Sequence, residues 1–413
     1  MSTPLRFQDL PSDIIYMIRE VLQDDFQALR CLWQLDRRCY RITLPKILEK
    51  VSSNDLTKLA NIVPPENRQM YADLIRMLKV KKRYEQVCSH WTLPTLQFLY
   101  IGSDAKLCTE WHSPLFTRGL QKFRCDSSTL PLWLLNTLST QCPDLQSFHL
   151  CGPETHLANG ISLGKVLGCL TNLQSIDLTG TSESTNRTFF RDIPDHVSQN
   201  LRELSLRDRL MGESAKYFAD FLSKTTKLHT LDFSHSLNLS ADIFNVEFLS
   251  SLLNMTTLRR LVLTNKLEDK MVRALLNSSG RPFFYEMTHL GLEGESEALS
   301  TLLTSPFLTH LDFTLFDPQP KIYHAISKLP RLQSLKLSFM SKNASLDSRG
   351  MQAISSLAKL ESLTFQFSRE DKILRFTAGD CDIELFGSLP KLERLYLGKR
   401  FAKHHHLMES PVR

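Results

Sequence analysis

The sequence predicts an α/β protein: a solenoid in which one short strand and one returning helix make each unit, preceded by a small all-α segment. Three observations lead there. The 413 residues include 72 leucines but only 15 glycines, well under the usual ~7% glycine of globular chains. The pattern Leu-x-x-Leu-x-Leu, substituted only by other apolar residues, starts thirteen times between Ile75 and Leu392. Between copies, apolar residues fall at three- and four-residue spacing, as on one face of a helix. A single copy means little in so leucine-rich a chain, but thirteen at a mean spacing of about 26 residues mark a structural repeat.

Composition sets outer bounds. Fifty basic against 44 acidic residues give a net charge of +6, too mild to imply nucleic acid or an anionic membrane as partner. Scarce glycine is a poor background for phosphate-cradling loops. Neither a Walker A nor a Gly-x-Gly-x-x-Gly motif occurs, so no cofactor is expected. No run of 18 apolar residues occurs, and Met1–Arg6 lacks an apolar signal core, so neither a membrane span nor secretion is expected. Nine scattered cysteines without a Cys-x-x-Cys pair suit reduced thiols in the cytoplasm or nucleus.

The first elements are helical. Phe7-Gln8-Asp9-Leu10-Pro11-Ser12-Asp13-Ile14-Ile15 leads into Ile18, Val21 and Leu22, the spacing of one apolar helix face. Pro11 suits a helix start, Asp9 or Ser12 can cap it, and Asp13 suits the first turn. Asp24-Asp25 ends that pattern and caps a second helix bearing Phe26, Leu29, Leu32 and Leu35. Arg37-Arg38-Cys39-Tyr40-Arg41-Ile42-Thr43-Leu44-Pro45 closes the segment.

This order, over residues 4–45, resembles the F-box. Two positions depart from it: Asp36 stands where a small Ser or Cys is usual, and Cys39 where an aromatic is usual, with Tyr40 one place later. The resemblance implies docking, through the Leu-Pro turn and first helix, onto the Skp-type adaptor of a cullin–RING ubiquitin ligase. Carried across by position, Leu10, Pro11, Ile14, Ile15, Ile18 and Leu22 are the adaptor-contact candidates, an apolar helix face entering a partner's groove. Some of them must also hold the helices together. Read without the resemblance, the same segment is a helical cap over the first repeat's apolar edge, which any solenoid needs.

Residues 46–74 read as a capping and linking segment. Ile47-Leu48-Glu49-Lys50-Val51 alternates like a short strand, Ser53 to Ile62 has helical spacing, and Pro64-Pro65 precedes a helix leading into Ile75.

The repeats occupy residues 75–400. The clearest copies begin at Leu201, Leu258, Leu332 and Leu392, intermediate ones at Leu145, Leu173, Leu228, Leu308 and Leu360, and weaker ones at Ile75, Leu96, Leu120 and Met287. This region resembles leucine-rich-repeat proteins, and the whole resembles fungal F-box/leucine-rich-repeat proteins. That implies a horseshoe with a parallel sheet on the concave face and helices on the convex face. Where the family often has Asn or Cys, three residues past the last apolar motif position, this chain has Arg83, Pro153, Thr181, Arg209 and Lys266. The usual asparagine ladder is therefore mostly missing.

Side chains alternate along a strand, so the third, fifth and seventh motif residues face the concave surface. The substrate-binding candidates there are Tyr100, Lys122, Arg124, His149, Asp177, Asp232, Asp312 and Tyr396. Thirteen strands at about 4.8 Å span on the order of 60 Å, which fits a protein or peptide rather than a metabolite. A basic segment is expected against Asp177, Asp232 and Asp312, and acidic character near Lys122 and Arg124. Tyr100 and Tyr396 are the aromatic anchor types.

Remaining motifs carry less. Gly160-Ile161-Ser162-Leu163-Gly164 fits a nucleophile elbow, but that motif needs a strand immediately before the serine. Here the preceding stretch is loop-like, so Ser162 reads as a helix cap, and a hydrolase rests on it alone. Lys79-Val80-Lys81-Lys82-Arg83 reads as the solvated end of the first strand. His404-His405-His406 lies in a tail, 401–413, expected to be disordered, where adjacent residues lack a closed metal shell. No metal site is expected. The expected function is a non-catalytic substrate-recognition subunit of an SCF-type ligase, bound to the Skp-type adaptor and through it to cullin, with a protein substrate on the repeats. The alternative is an intracellular leucine-rich-repeat scaffold or inhibitor with a helical N-terminal cap and no ubiquitin role.

Overall fold

The computed structural model describes residues 10–397 apart from 23–24, 82–90, 104, 106–114, 128, 158–161, 182, 207–212, 235–243, 280–283, 341–344, 347, 368–374 and 377–384. Residues 4–9, Arg83, Arg209 and the 401–413 tail with its three histidines therefore lie outside the described residues. The chain divides into two units, one comprising Met1–Ile176, Gly180–Thr185 and Asp192–Val197, the other Asp177–Thr179, Asn186–Arg191 and Ser198–Arg413.

The first unit opens with helices α1 (Ser12–Val21), α2 (Phe26–Leu35) and α3 (Arg37–Leu48). Asp25 caps α2 by accepting the Gln27 and Ala28 N–H groups, both at 3.0 Å. Asp36 caps α3 by accepting the Cys39 N–H at 2.7 Å, and that bond holds its carboxyl below the usual range. The aspartate that departs from the F-box pattern is thus a helix cap, a role for which aspartate is among the preferred residues. Ile15, Leu32, Cys39 and Ile42 form the core of the three helices, with Leu10, Ile18 and Leu22 packed against it. Cys39 fills a core position, while Tyr40 lies half-buried with its hydroxyl 2.9 Å from that of Tyr71.

Ile47 and Leu48, expected to begin a strand, instead finish α3, and β1 spans Lys50–Ser52. The apolar face of α3 runs on from Ile42 through Leu44 and the buried Leu48, so the helix gains by continuing to that residue. Helix α4 (Ser53–Ile62) starts at a capping box in which Ser52 Oγ accepts the Asp55 N–H and Asp55 accepts the Ser52 N–H. Helix α5 (Pro65–Ala72) follows. The sheet of this unit runs in the order β1, β2 (Met77–Val80), β3 (Phe98–Ile101), β4 (Lys122–Cys125), then β6 (Ser147–Leu157), with β5 (Thr129–Leu130) paired to the far end of β6. All these pairs are parallel. Strand β7 (Ser175–Thr181) has residues in both units.

In the second unit β8 (Glu203–Leu206), β9 (Thr230–Phe233), β10 (Arg260–Leu267), β11 (His289–Gly294), β12 (His310–Leu315), β13 (Ser334–Phe339), β15 (Ser362–Phe367) and β17 (Arg394–Leu397) pair in that order, all parallel. A separate two-stranded pair joins β14 (Ser345–Leu346) and β16 (Arg375–Phe376). Each of the thirteen motifs carries a strand that begins two residues after its first apolar residue. The strands are joined by short helices such as Val246–Leu253, Ser296–Leu302 and Pro320–Ser327. The molecule is therefore α/β with all-parallel strand pairing in repeated strand–helix units. No helix among the described residues is long and apolar enough to cross a membrane.

The repeat has a consistent backbone logic. The carbonyl of the second motif residue accepts two N–H groups from the next repeat. Arg76 O takes Gln97 and Phe98 (2.8 and 2.9 Å), and Thr309 O takes Gln333 and Ser334 (2.8 and 2.9 Å). Hydroxyls placed just before some motifs tie one repeat to the next. Thr95 Oγ1 donates to Ile75 O at 3.0 Å, Thr257 Oγ1 to Leu228 O at 2.7 Å, and Ser305 Oγ to Met287 O at 2.9 Å. Each of these bonds gives an otherwise buried carbonyl a partner.

Candidate protein-binding face

Alternation along the strands separates a buried side from an open one. Leu78, Leu99, Phe123 and Phe148 are at most 1% exposed, whereas their neighbours Lys79, Tyr100, Arg124 and His149 are half-buried. Those four residues stand in register across β2, β3, β4 and β6. Tyr100 is not the free anchor expected from sequence. Lys79 Nζ lies 4.5 Å from its ring centroid, and the Arg124 guanidinium 5.4 Å. Its hydroxyl donates to Asp126 Oδ2 at 2.5 Å, while Arg124 Nε donates to Asp126 Oδ1 at 3.0 Å. Burial first, and then the bond to this carboxylate, push the Tyr100 phenol up to about 12, so it remains a donor. Lys122 is exposed at the edge of this cluster.

Asp126 and Cys151, half-buried beside His149, were absent from the sequence-based candidates. Both occupy the seventh motif position, counted from Leu120 and Leu145. Extending the seventh column to every repeat would have found them.

In the second unit the expected acidic centre is occupied by its own partners. Asp232, 9% exposed, accepts the Ser234 N–H at 2.8 Å and faces Arg260 Nη2 at 3.4 Å. Asp312 stands opposite Lys336 in register and meets its Nζ at 2.8 Å. Asp177 accepts the Thr179 hydroxyl at 3.0 Å. Opposite charges on adjacent strands favour one another, so Asp232 and Asp312 are compensated in place rather than held out to a basic ligand. Tyr396, by contrast, is 49% exposed on β17.

The same face carries a histidine pair. The His289 and His310 rings stack at 4.1 Å and 11°. Each Nδ1 lies 2.9 Å from the hydroxyl of the preceding threonine, Thr288 or Thr309. Burial, then the neighbouring His310 and Arg260, push His289 down to about 4, so its ring is neutral at neutral pH. Glu293 moves the other way: burial, then Asp312, raise its carboxyl to about 7 against Thr314 and Lys336.

A raised carboxyl pKa has a defined consequence. Between about 4.5 and 7 the folded Glu293 holds a proton that the unfolded one has lost, so its contribution to stability falls as pH rises through that window. Glu293→Gln keeps the shape and removes the titration. The melting temperature of Glu293→Gln minus that of the parent should climb from pH 5 to pH 7.5 and then level off. A pH-independent difference in differential scanning fluorimetry would contradict the burial of Glu293.

The helical segment presents two apolar faces. Ile15 is fully buried among the three helices, with Leu10, Ile18 and Leu22 against it. Ile15 thus has no surface left for a partner, because it holds the helices together. Pro11 and Ile14 are exposed, the latter 37%. Met17 (61%) and Val21 (84%) continue that stripe, and sequence reasoning left both off the contact list. Their spacing from Ile14, three and seven residues, is that of one helix face. Ser162, the elbow-like serine, is buried and accepts the Lys165 N–H at 3.4 Å as the cap of the helix Leu163–Leu167. No family model matches this chain, and no curated protein does.

Proposed function

We propose that this chain is the substrate-recognition subunit of an SCF-type cullin–RING ubiquitin ligase, acting in the cytoplasm or nucleus. The observation that carries the reading is the second apolar face of α1. A helix that only capped the first repeat would bury its apolar residues, yet Ile14, Met17 and Val21 lie open just after the Leu10-Pro11 turn. A helix with one face in its own core and another free is built to dock. In this reading Pro11, Ile14, Met17 and Val21 enter the groove of the Skp-type adaptor, while Leu10, Ile15, Ile18 and Leu22 set the helix at the right angle.

The repeats supply the other half. Polar, ion-paired and aromatic side chains on the open faces of the sheet strands would hold a protein substrate, which is then brought near the ligase's ubiquitin donor. The contribution to the reaction is proximity, which can be worth several kcal/mol without a reacting group from this chain. Because Asp232 and Asp312 are compensated, the uncompensated charge at Lys122 makes an acidic segment the better-matched ligand for the first unit. The test is co-purification of the intact chain with a Skp-type adaptor. A stoichiometric complex supports the reading, and failure of the folded chain to bind any such adaptor overturns it.

A further inference from the structure

The open face of the first unit holds a constellation that protein docking does not account for. His149 and Cys151 stand two apart on β6, hence on one side of the strand. Asp126 follows β4, whose Arg124 pairs with His149 in register. One donor atom from each of the three, carboxylate oxygen, imidazole nitrogen and thiol sulfur, lies within 4.8 Å of the other two, and all three residues are half-buried. No other trio of His, Cys, Asp or Glu converges in this way among the described residues. A tetrahedral Zn²⁺ with bonds of about 2.0–2.3 Å separates its ligands by about 3.3–3.8 Å. The 4.8 Å limit exceeds that separation by about 1 Å.

Asp126 is already oriented for this. Tyr100 donates to one carboxylate oxygen and Arg124 to the other, the kind of outer hydrogen bonding that fixes ligating carboxylates in metal centres. Charge also balances. A carboxylate and a thiolate neutralise a dication, and Arg124, which already pairs with Asp126 at 3.0 Å, then shares that carboxylate with the metal.

We propose that Asp126, His149 and Cys151 form a site for a borderline divalent cation of the Zn²⁺ class, with Tyr100 as a positioning residue. The mixed donor set selects that class. Mg²⁺ and Ca²⁺ prefer oxygen shells, and Cu(I) prefers sulfur alone. Three protein ligands leave the fourth position to water or to a group from whatever lies on this face. Binding releases the Cys151 thiol proton, so affinity rises with pH.

The test uses the full-length chain with His404, His405 and His406 replaced by alanine, so that the tail cannot supply the signal. Titration with Co²⁺ should give one saturable equivalent, with tetrahedral visible bands and a near-ultraviolet sulfur-to-cobalt charge-transfer band, both bleached by Zn²⁺. Cys151→Ser and Cys151→Ala should each abolish the charge-transfer band. His149→Ala and Asp126→Asn should weaken binding more than the roughly 10–100-fold that loss of an outer-shell partner costs, whereas Tyr100→Phe should fall within that range and keep the band. Cys169→Ser, at an exposed thiol, should change nothing. Absence of saturable binding, a band that survives Cys151→Ser, or one lost in Cys169→Ser would overturn the assignment.

Discussion

Changing Ile14, Met17 and Val21 together to aspartate should abolish capture of the Skp-type adaptor and leave the fold intact. The three side chains are 37%, 61% and 84% exposed, and substitutions at such positions usually move stability by no more than about 0.5 kcal/mol each. As docking anchors their loss is far more costly. Buried interface anchors are each worth about 2 kcal/mol or more, and every 1.4 kcal/mol is about tenfold in affinity. Three of them lost should weaken the complex by well over a hundredfold. Ile15→Asp makes the opposite control. It puts a charge into a core where the native side chain is fully buried, so it should melt the three-helix cluster and lose the adaptor only through unfolding. Adaptor pull-down beside circular dichroism separates the two outcomes. Undiminished binding by the folded triple variant would leave the helical segment as a cap.

What was legible in the sequence follows from how local each signal is. The strands were legible because period-2 alternation and the leucine motif act within six residues, and every motif start located its strand. The helix Ser53–Ile62 was legible because its apolar residues fall at helical spacing. The failures needed a neighbour. Asp232 and Asp312 read as free acids until the strands beside them brought Arg260 and Lys336 within reach. Tyr100 read as an anchor until Asp126, a full repeat away in sequence, took its hydroxyl. Cys151 went unremarked because the seventh column was not followed into every repeat. The apolar residues of α1 were pooled as one contact surface, although Ile14 and Ile15 point about 100° apart around a helix, the first exposed and the second buried.

Phe218→Ala should be the most destabilising single truncation in the second unit. The side chain is fully buried and its ring meets Phe190, Phe233 and Phe248 at centroid distances of 4.9, 5.5 and 6.1 Å. Removing a phenyl from a close-packed core costs about 3–5 kcal/mol, because the transfer energy is lost and rigid neighbours cannot close the cavity. Phe218→Leu keeps most of the volume and should cost less than about 1.5 kcal/mol. Where the damage appears is as informative as its size. In a stack of repeats each unit rests on its neighbours, so hydrogen-exchange protection should fall most in β8, β9 and β10, and β2 to β4 should keep theirs. If protection dropped equally in both sets of strands, the chain would fold as one all-or-none block. If Phe218→Ala cost no more than Phe218→Leu, the aromatic cluster would not be the close-packed core that its geometry describes.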